Sequence, residues 1–330
     1  MKIIVIGLGS MGKRRIRLVK QINNDIQIIG IDSKANRRIE AEKLYNIQTT
    51  TGINEAIDQN KDISCAIIST SPLSHAGIIE DCLNYNLNVF TELNLVSDRY
   101  NKNIALADSK KLVLFLSSTF LYRDEVNYIQ NKISKSKSPT NYSYHIGQYL
   151  PDWHPWENYK SFFVGNKKTN GCREIMAIEF PWLIKTFGPV KKFTVCAGRM
   201  SSLEIDYPDN YQLLIEHESG TRGALSVDIV SRKAVRNLEI YGEDLYLSWN
   251  GSPIGLQDYD FDKKELRNVN LYEDVDHQEG YSAFVIENAY KNELISFFNQ
   301  VQRHSKAIYN FQDDLRTLEL IDSIEGQVLI

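Results

Sequence analysis

The chain reads as an α/β protein in two halves. The first is an N-terminal doubly wound parallel sheet, and the second is a C-terminal α+β half with a large open, mostly antiparallel sheet. Three observations predict this. Short apolar runs alternate with amphipathic stretches over the first 120 residues, and a glycine-rich turn directly follows the first apolar run. After about residue 120 the rhythm changes to strand-like runs joined by Gly, Asp and Asn turns.

Residues 3–6 (Ile-Ile-Val-Ile) form a continuous apolar run, the composition that a strand buried on both faces requires. A helix is expected over 11–21, with Ile16, Val19 and Ile22 on its inward face. A strand over 26–32 ends in an acidic residue, and 36–45 has a helical pattern. Further strands follow at 63–70, 89–92 and 112–116, separated by helices over 75–85 and 98–110. Strand, helix, strand in this order means parallel pairing with right-handed crossovers. In the second half a helix over 125–134 leads to a strand over 142–147 and then to an irregular aromatic segment, 148–168. A helix near 174–187 stops at Gly188-Pro189. Strands are expected over 192–197, 211–217, 223–230, 237–241 and 245–249, and helices over 283–302 and 313–329. The domain boundary is placed near 120, giving 1–120 and 121–330. No flexible tether lies between the halves, so they are expected to pack tightly.

Composition narrows the function. Lys and Arg number 38 against 42 Asp and Glu, so the net charge of −4 leaves no basic surplus for nucleic acid or anionic lipid. Lys13-Arg14-Arg15 and Lys167-Lys168 read as solvated faces. No apolar stretch approaches the roughly 20 residues of a membrane span. The apolar opening is interrupted by glycines and then by basic residues on the wrong side for a leader, so a cytoplasmic location is expected. Cys65, Cys82, Cys172 and Cys196 lack CxxC spacing and a Cys/His cluster, which argues against a zinc site or a disulfide framework. No metal is expected.

Gly7-Leu8-Gly9-Ser10-Met11-Gly12 is G-x-G-x-x-G, placed between a buried strand and a helix, and Asp32 ends the second strand 20 residues after Gly12. Gly7 permits the tight turn, Gly9 lets the backbone approach a pyrophosphate, and Gly12 lets helix and strand pack closely. The N–H groups at the helix start face the anion. A carboxylate at Asp32 accepts from ribose hydroxyls and repels a 2′-phosphate, which favours NAD(H). Ser33, Lys34 and Arg37 lie just beyond and can offset that repulsion, leaving NADP(H) as an open second cofactor. Arg37 has two further readings, along the adenine face or simply solvated.

With this fingerprint, the strand end Ser69-Thr70-Ser71-Pro72 and His75 three residues later, the chain resembles the glucose–fructose oxidoreductase / inositol dehydrogenase (Gfo/Idh/MocA) family. Asn88-Val89-Phe90-Thr91-Glu92 looks like the strand that carries that family's Glu-Lys-Pro motif, and Thr317-Leu318-Glu319-Leu320-Ile321-Asp322 extends the likeness into the closing helix. The resemblance implies an NAD(P)-dependent oxidoreductase of sugars, cyclitols or related alcohols. Its Rossmann domain precedes a domain built on a large open sheet, whose free face makes dimers or tetramers. It also adds Thr70, Ser71, Pro72, His75 and Glu92 to the cofactor residues.

Two departures stand out. Glu-Lys-Pro becomes Glu92-Leu93-Asn94, and leucine supplies neither charge nor proton. The family's second motif, a glycine pair leading to Asp or Glu and then His, falls on 170–179 and puts Ile178 at the histidine. Hydride transfer still needs a group that holds or moves a proton. The nearest replacements are Glu174, Glu179, His154, Tyr149 and Asp152. Of these, Glu179 and His154 are taken as the catalytic pair, the plain alternative for Glu179 being a partner for Arg173 or Lys185. Tyr149, Asp152, Trp153 and Trp156 are taken as substrate-binding, because loops collect binding residues and indoles stack on sugar rings. His75 can equally cap the helix it begins. The expected substrate is sugar-like; the 148–153 segment resembles sequences of surface-glycan biosynthesis, and that resemblance implies an activated sugar or nonulosonic acid. Two other readings stay open. One is transient use of bound NAD in epimerisation, elimination or glycoside cleavage, and the other is a cofactor-binding regulatory or partner subunit without dehydrogenase chemistry.

Overall fold

The computed structural model describes residues 1–153, 157–276 and 284–328, and the chain divides into two compact units. Met1–Ser118 and Tyr290–Arg316 form the first; Thr119–Ala289 and Thr317–Ile330 form the second.

The first unit runs β1 (Lys2–Ile6), α1 (Ser10–Ile22), β2 (Gln27–Ile31), α2 (Ala35–Tyr45), β3 (Gln48–Thr50), α3 (Ile53–Gln59), β4 (Ile63–Ile68), α4 (Pro72–Asn84), β5 (Asn88–Thr91), α5 (Tyr100–Lys110) and β6 (Leu114–Leu116). All strands are parallel, in the order β3-β2-β1-β4-β5-β6. The order reverses between β1 and β4, so their carboxyl ends flank the crevice where such sheets bind ligands. Apolar β1 and β4 occupy this central position: Ile3, Ile4, Val5 and every residue from Cys65 to Ile68 are fully buried. The sequence pattern does not register β3 and α3. In Gln48–Thr50 only Thr50 is buried, and a three-residue polar edge strand has no apolar periodicity to detect.

Residues 290–316 return to this unit instead of staying with the second half. The physical reason is aromatic: Phe297 is fully buried, with its ring centroid 5.7 Å from Phe90 and 5.8 Å from Phe115. A single cut near residue 120 cannot describe this division.

The second unit contains α6 (Asp124–Lys135), β7 (Asn141–Gly147), α7 (Gly171–Phe187), β8 (Val190–Gly198), β9 (Asn210–His217), β10 (Arg222–Asp228), β11 (Val235–Tyr241), β12 (Tyr246–Trp249), β13 (Leu256–Asp260) and β14 (Glu265–Asn268). They form an eight-stranded sheet, β14-β13-β12-β11-β7-β10-β9-β8, antiparallel except for the β7–β10 pair. Tyr142, Tyr144 and Ile146 are buried on one face of β7, and Ser143 between them is exposed on the other. The tyrosine face packs on α7, where Trp182 lies 5.7 Å from Tyr144 and 6.5 Å from Trp249. The opposite face stays open, and Leu214 on it is 66% exposed. The sequence pattern misses β13 and β14; every residue of β14 is exposed, so no alternation marks it. Two last helices, α8 (Glu287–Val301) and α9 (Phe311–Gly326), close the chain, and residue 283, where a helix start is expected, lies outside the described residues.

Among the described residues no helix is long and apolar enough to cross a membrane, and no group of three His, Cys, Asp or Glu could hold a metal. All four cysteines are free thiols.

Candidate active site

Each unit carries one candidate site. In the first, β1 runs directly into the glycine turn, and each glycine answers a different demand. Gly7 has φ +90°, and a Cβ there would lie 2.6 Å from the Ser69 carbonyl oxygen. A Cβ at Gly12 would lie 1.8 Å from the Gly7 carbonyl oxygen, so α1 can approach β1 only with glycine at that position. Gly9 is different: its φ of −73° suits any residue, and the nearest atom to a Cβ is the Arg37 guanidinium at 3.7 Å. The space beside Gly9 is the opening through which an anion can reach the first turn of α1, which carries no acidic residue. This cradle fits a pyrophosphate. Gly9→Ala is therefore expected to cost under about 1 kcal/mol of stability yet abolish NADH binding. Gly12→Ala should cost about 1–3 kcal/mol. Urea unfolding and NADH fluorescence on the same samples separate the two effects. A Gly9→Ala protein that binds NADH normally would remove the pyrophosphate from this turn.

Asp32 is buried and knits the turn together. Its Oδ2 accepts the Leu8 N–H at 2.9 Å, and its Oδ1 accepts the Lys34 N–H at 2.8 Å. Arg37 is not simply solvated: its Nη1 sits 3.6 Å from Asp32 Oδ2. Arg38 donates to the carbonyls of Asp32 and Ser33, at 2.7 and 3.1 Å. Two guanidinium groups thus crowd the acid at the end of β2, so its repulsion of a 2′-phosphate is partly offset.

Beyond β4, Ser71 caps α4 with no side-chain bond and Pro72 opens the helix, so His75 lies inside the first turn and does not begin the helix. Its ring is buried between two oxygen acceptors. Nδ1 lies 2.7 Å from Asn94 Oδ1, and Nε2 lies 3.0 Å from the Thr70 carbonyl. Asn94 donates onward to Tyr100 Oη at 2.8 Å, and Tyr100 donates to Asp314. Burial pushes the His75 pKa down, against the pull of Asn94, Thr70 and Glu92. Glu92 is held by the fork of Arg15, at 2.6 and 3.0 Å, and Leu93 beside it is a half-buried apolar residue. Arg15 itself is fully buried; it also binds Glu293 at 2.7 Å and lies 4.5 Å over the Phe90 ring. Nothing in the sequence pattern marks this pair, because Glu293 is 278 residues from Arg15.

In the second unit the sheet's one parallel pair, β7 and β10, ends at Gly147 and Asp228. The backbone pairing continues past the strands: Gln148 N–H donates to the Asp228 carbonyl, and Leu150 N–H to that of Ile229. Both segments meet the start of α7, where a Cβ on Gly171 would touch Ile229, Leu150 and Trp153 at 3.0–3.4 Å. Trp153 is half-buried there, its indole N–H donating to the Gln148 carbonyl. Asp152 is exposed, and Tyr149 lies under the Arg232 guanidinium. His154 and Trp156 lie outside the described residues.

Glu179 is fully buried and its carboxylate is saturated. It accepts from Tyr144 Oη at 2.8 Å, Trp182 Nε1 at 2.6 Å and Arg236 Nη2 at 2.5 Å. Its cation is therefore Arg236; Arg173 instead pairs with Asp322 and Glu325. Glu174 is the opposite case. From Gly171 to Leu183 only Glu174 and Ile178, one turn apart, break a wholly buried helix. Glu174 Oε2 is itself buried without a hydrogen-bond partner, and burial pushes the carboxyl up to about 8. It stands four residues before Ile178, so the two share one face of the helix, and that spacing is the sequence signal that could have favoured it.

Residues 1–117 match the family model described as an oxidoreductase family with an NAD-binding Rossmann fold. No curated protein matches the chain. Among solved structures, an NAD-binding oxidoreductase from Klebsiella pneumoniae is similar, with TM-score 0.80 and 13% identity; the match covers 99% of this chain and 96% of that one. UDP-N-acetylglucosamine 3-dehydrogenase from Acidithiobacillus ferrooxidans gives TM-score 0.76 and 15% identity, over 99% and 97%. Levoglucosan dehydrogenase in complex with NADH gives 0.79 and 14%, over 99% and 96%. At these identities the likeness is one of fold.

Proposed function

We propose that this chain, whose residues 1–117 belong to the NAD-binding domain of the Gfo/Idh/MocA oxidoreductase family, is an NAD(H)-dependent oxidoreductase of a sugar, cyclitol or activated-sugar substrate. The observation that carries the proposal is Glu174 on α7, whose Oε2 is buried without a hydrogen-bond partner, in a chain that also holds an intact dinucleotide cradle. NAD(H), when bound, supplies or accepts the hydride. Gly7, Leu8, Gly9, Ser10, Met11 and Gly12 hold its pyrophosphate, and Asp32, with Ser33 and Arg37 beside it, orients the adenosine ribose. Thr70, Ser71 and Pro72 form the turn after β4 that flanks the crevice. His75 fixes that turn by holding the Thr70 carbonyl, and Glu92 closes the strand end beside it.

Glu174 is the proton-transfer group. As a carboxylate it takes the proton from a substrate hydroxyl during oxidation; as a carboxylic acid it gives a proton to the alkoxide formed in reduction. A pKa raised towards neutrality suits both directions. Glu179 acts differently from its expected role: saturated by three donors from β7, β11 and its own helix, it anchors α7 to the sheet. Tyr149, Asp152 and Trp153 remain on the substrate side, at the start of the same helix.

The test is a titration of the cofactor-stripped protein with NADH and then NADPH, read by tryptophan quenching. A turnover screen over sugars, cyclitols, nucleotide sugars and nonulosonic acids follows. Tight NADH binding with turnover on one class is expected. Failure to bind either dinucleotide would sink the proposal. Binding with no turnover across the panel would favour a partner subunit, the reading that Leu93 and Ile178 support.

A further inference from the structure

Among the described residues, the second unit holds a cation that no acid neutralises. Arg232 is exposed, yet it is fixed in place, with its guanidinium carbon 3.7 Å from the centre of the Tyr149 ring. Among the described residues no carboxylate lies within ion-pair distance of it, whereas Arg173, Arg236 and Arg267 of the same unit are each paired. Stacking uses one face of the guanidinium and leaves its edge, where all five N–H donors lie, open to solvent.

The backbone that presents Arg232 is built for rigidity. Asp228 Oδ1 accepts the N–H groups of Val230 and Ser231, at 2.9 and 2.8 Å. Its Oδ2 accepts the Ser231 hydroxyl at 3.0 Å and faces His145 Nε2 at 2.7 Å. Gly147 is required opposite, because a Cβ there would lie 2.4 Å from Asp228 Oδ2. The chain thus orders the turn before any ligand arrives, which lowers the entropy cost of recognition. This turn and the 148–153 segment leave the sheet side by side at the carboxyl ends of β7 and β10. Both reach the first turn of α7, three residues ahead of Glu174. Lys233 adds a second exposed cation next to Arg232.

We propose that Arg232, stacked on Tyr149, recognises an anionic group of the substrate, so that the substrate is a sugar bearing a carboxylate or a phosphate and not a neutral sugar or cyclitol. This rests on the oxidoreductase reading and narrows it. A planar fork on a rigid aromatic platform matches both anions in the same way, by paired charge-assisted N–H···O bonds.

Dissociation constants would be measured by calorimetry, in the presence of NADH, for glucuronate, glucose 1-phosphate, UDP-glucose, glucose and myo-inositol. The proteins compared would be wild type, Arg232→Gln and Arg232→Lys. At least one anionic sugar is expected to bind wild type roughly 10- to 100-fold more tightly than the neutral pair, the range of one or two charge-assisted bonds. Arg232→Gln should erase that margin, and Arg232→Lys should restore part of it. Binding of glucuronate alone assigns a carboxylate; binding of the phosphate compounds assigns a phosphate. Two results overturn the proposal: no anion preference in wild type, or a preference that Arg232→Gln leaves intact. NADH binding in the same samples keeps the two readings apart. Its loss in wild type removes the oxidoreductase, while normal NADH binding without an anion preference removes only the role of Arg232. Urea midpoints of wild type, Arg232→Gln and Arg232→Lys are expected to coincide, because Arg232 is exposed, and this guards against a folding effect.

Discussion

Glu174→Gln should lower kcat by roughly 10²- to 10⁴-fold and leave NADH binding unchanged. Glutamine keeps the size and polarity of the side chain but cannot release or accept the proton. The pH dependence supplies an independent check. With the carboxyl pushed up to about 8, alcohol oxidation should rise through that pH as Glu174 ionises, and carbonyl reduction should fall through it. Stability moves with the same ionisation. The folded state holds the proton at pH values where the unfolded chain, near its ordinary 4.5, has lost it. The contribution is thus fully present below about 4.5 and is lost as the pH rises towards about 8. Urea midpoints of wild type and Glu174→Gln measured from pH 5 to 9 should converge on this prediction, with the variant lacking the decline. Unchanged kcat together with superimposable stability profiles would remove Glu174 from the chemistry.

Arg15→Met is the second large effect, and it falls on stability. The guanidinium is fully buried and meets Glu92, Glu293, the Ser117 hydroxyl and the Tyr290 carbonyl. Burial drives the Glu293 carboxyl upward, and Arg15 opposes this most strongly. Methionine fills much of the space but leaves two acids facing each other without a cation. Removing one partner of a buried pair costs about 3–5 kcal/mol, readable as a shift in the urea midpoint. The double variant Arg15→Met with Glu293→Leu should recover much of that loss, since it also removes the stranded charge. A single variant that loses under about 1 kcal/mol would mean that water reaches the pair and screens it.

Legibility in the sequence followed physical range. The roles of Gly7 and Gly12 could be read from spacing because their contacts are with neighbours in the turn and the adjoining strand. The one-face burial of β7 could be read from its alternation of tyrosine with polar residues. Arg37 could not be settled, because its partner depends on how α2 leaves β2. The strands β3, β13 and β14 stayed hidden because a short or exposed edge strand carries no hydrophobic period.

The candidate acid shows the division most clearly. By itself the sequence determined a nucleotide-binding α/β chain, with its glycine turn at 7–12 and its acid at Asp32. Those statements concern residue types at fixed spacings, and spacing survives without coordinates in space. It favoured Glu179 over Glu174, two acids five residues apart on one helix. Tertiary structure sets the two apart, bringing Tyr144 and Arg236 to Glu179 across 35 and 57 residues and bringing no hydrogen-bond partner to the buried Glu174 Oε2. A carboxyl's chemistry depends on which donors reach its lone pairs, and the sheet sets which donors those are.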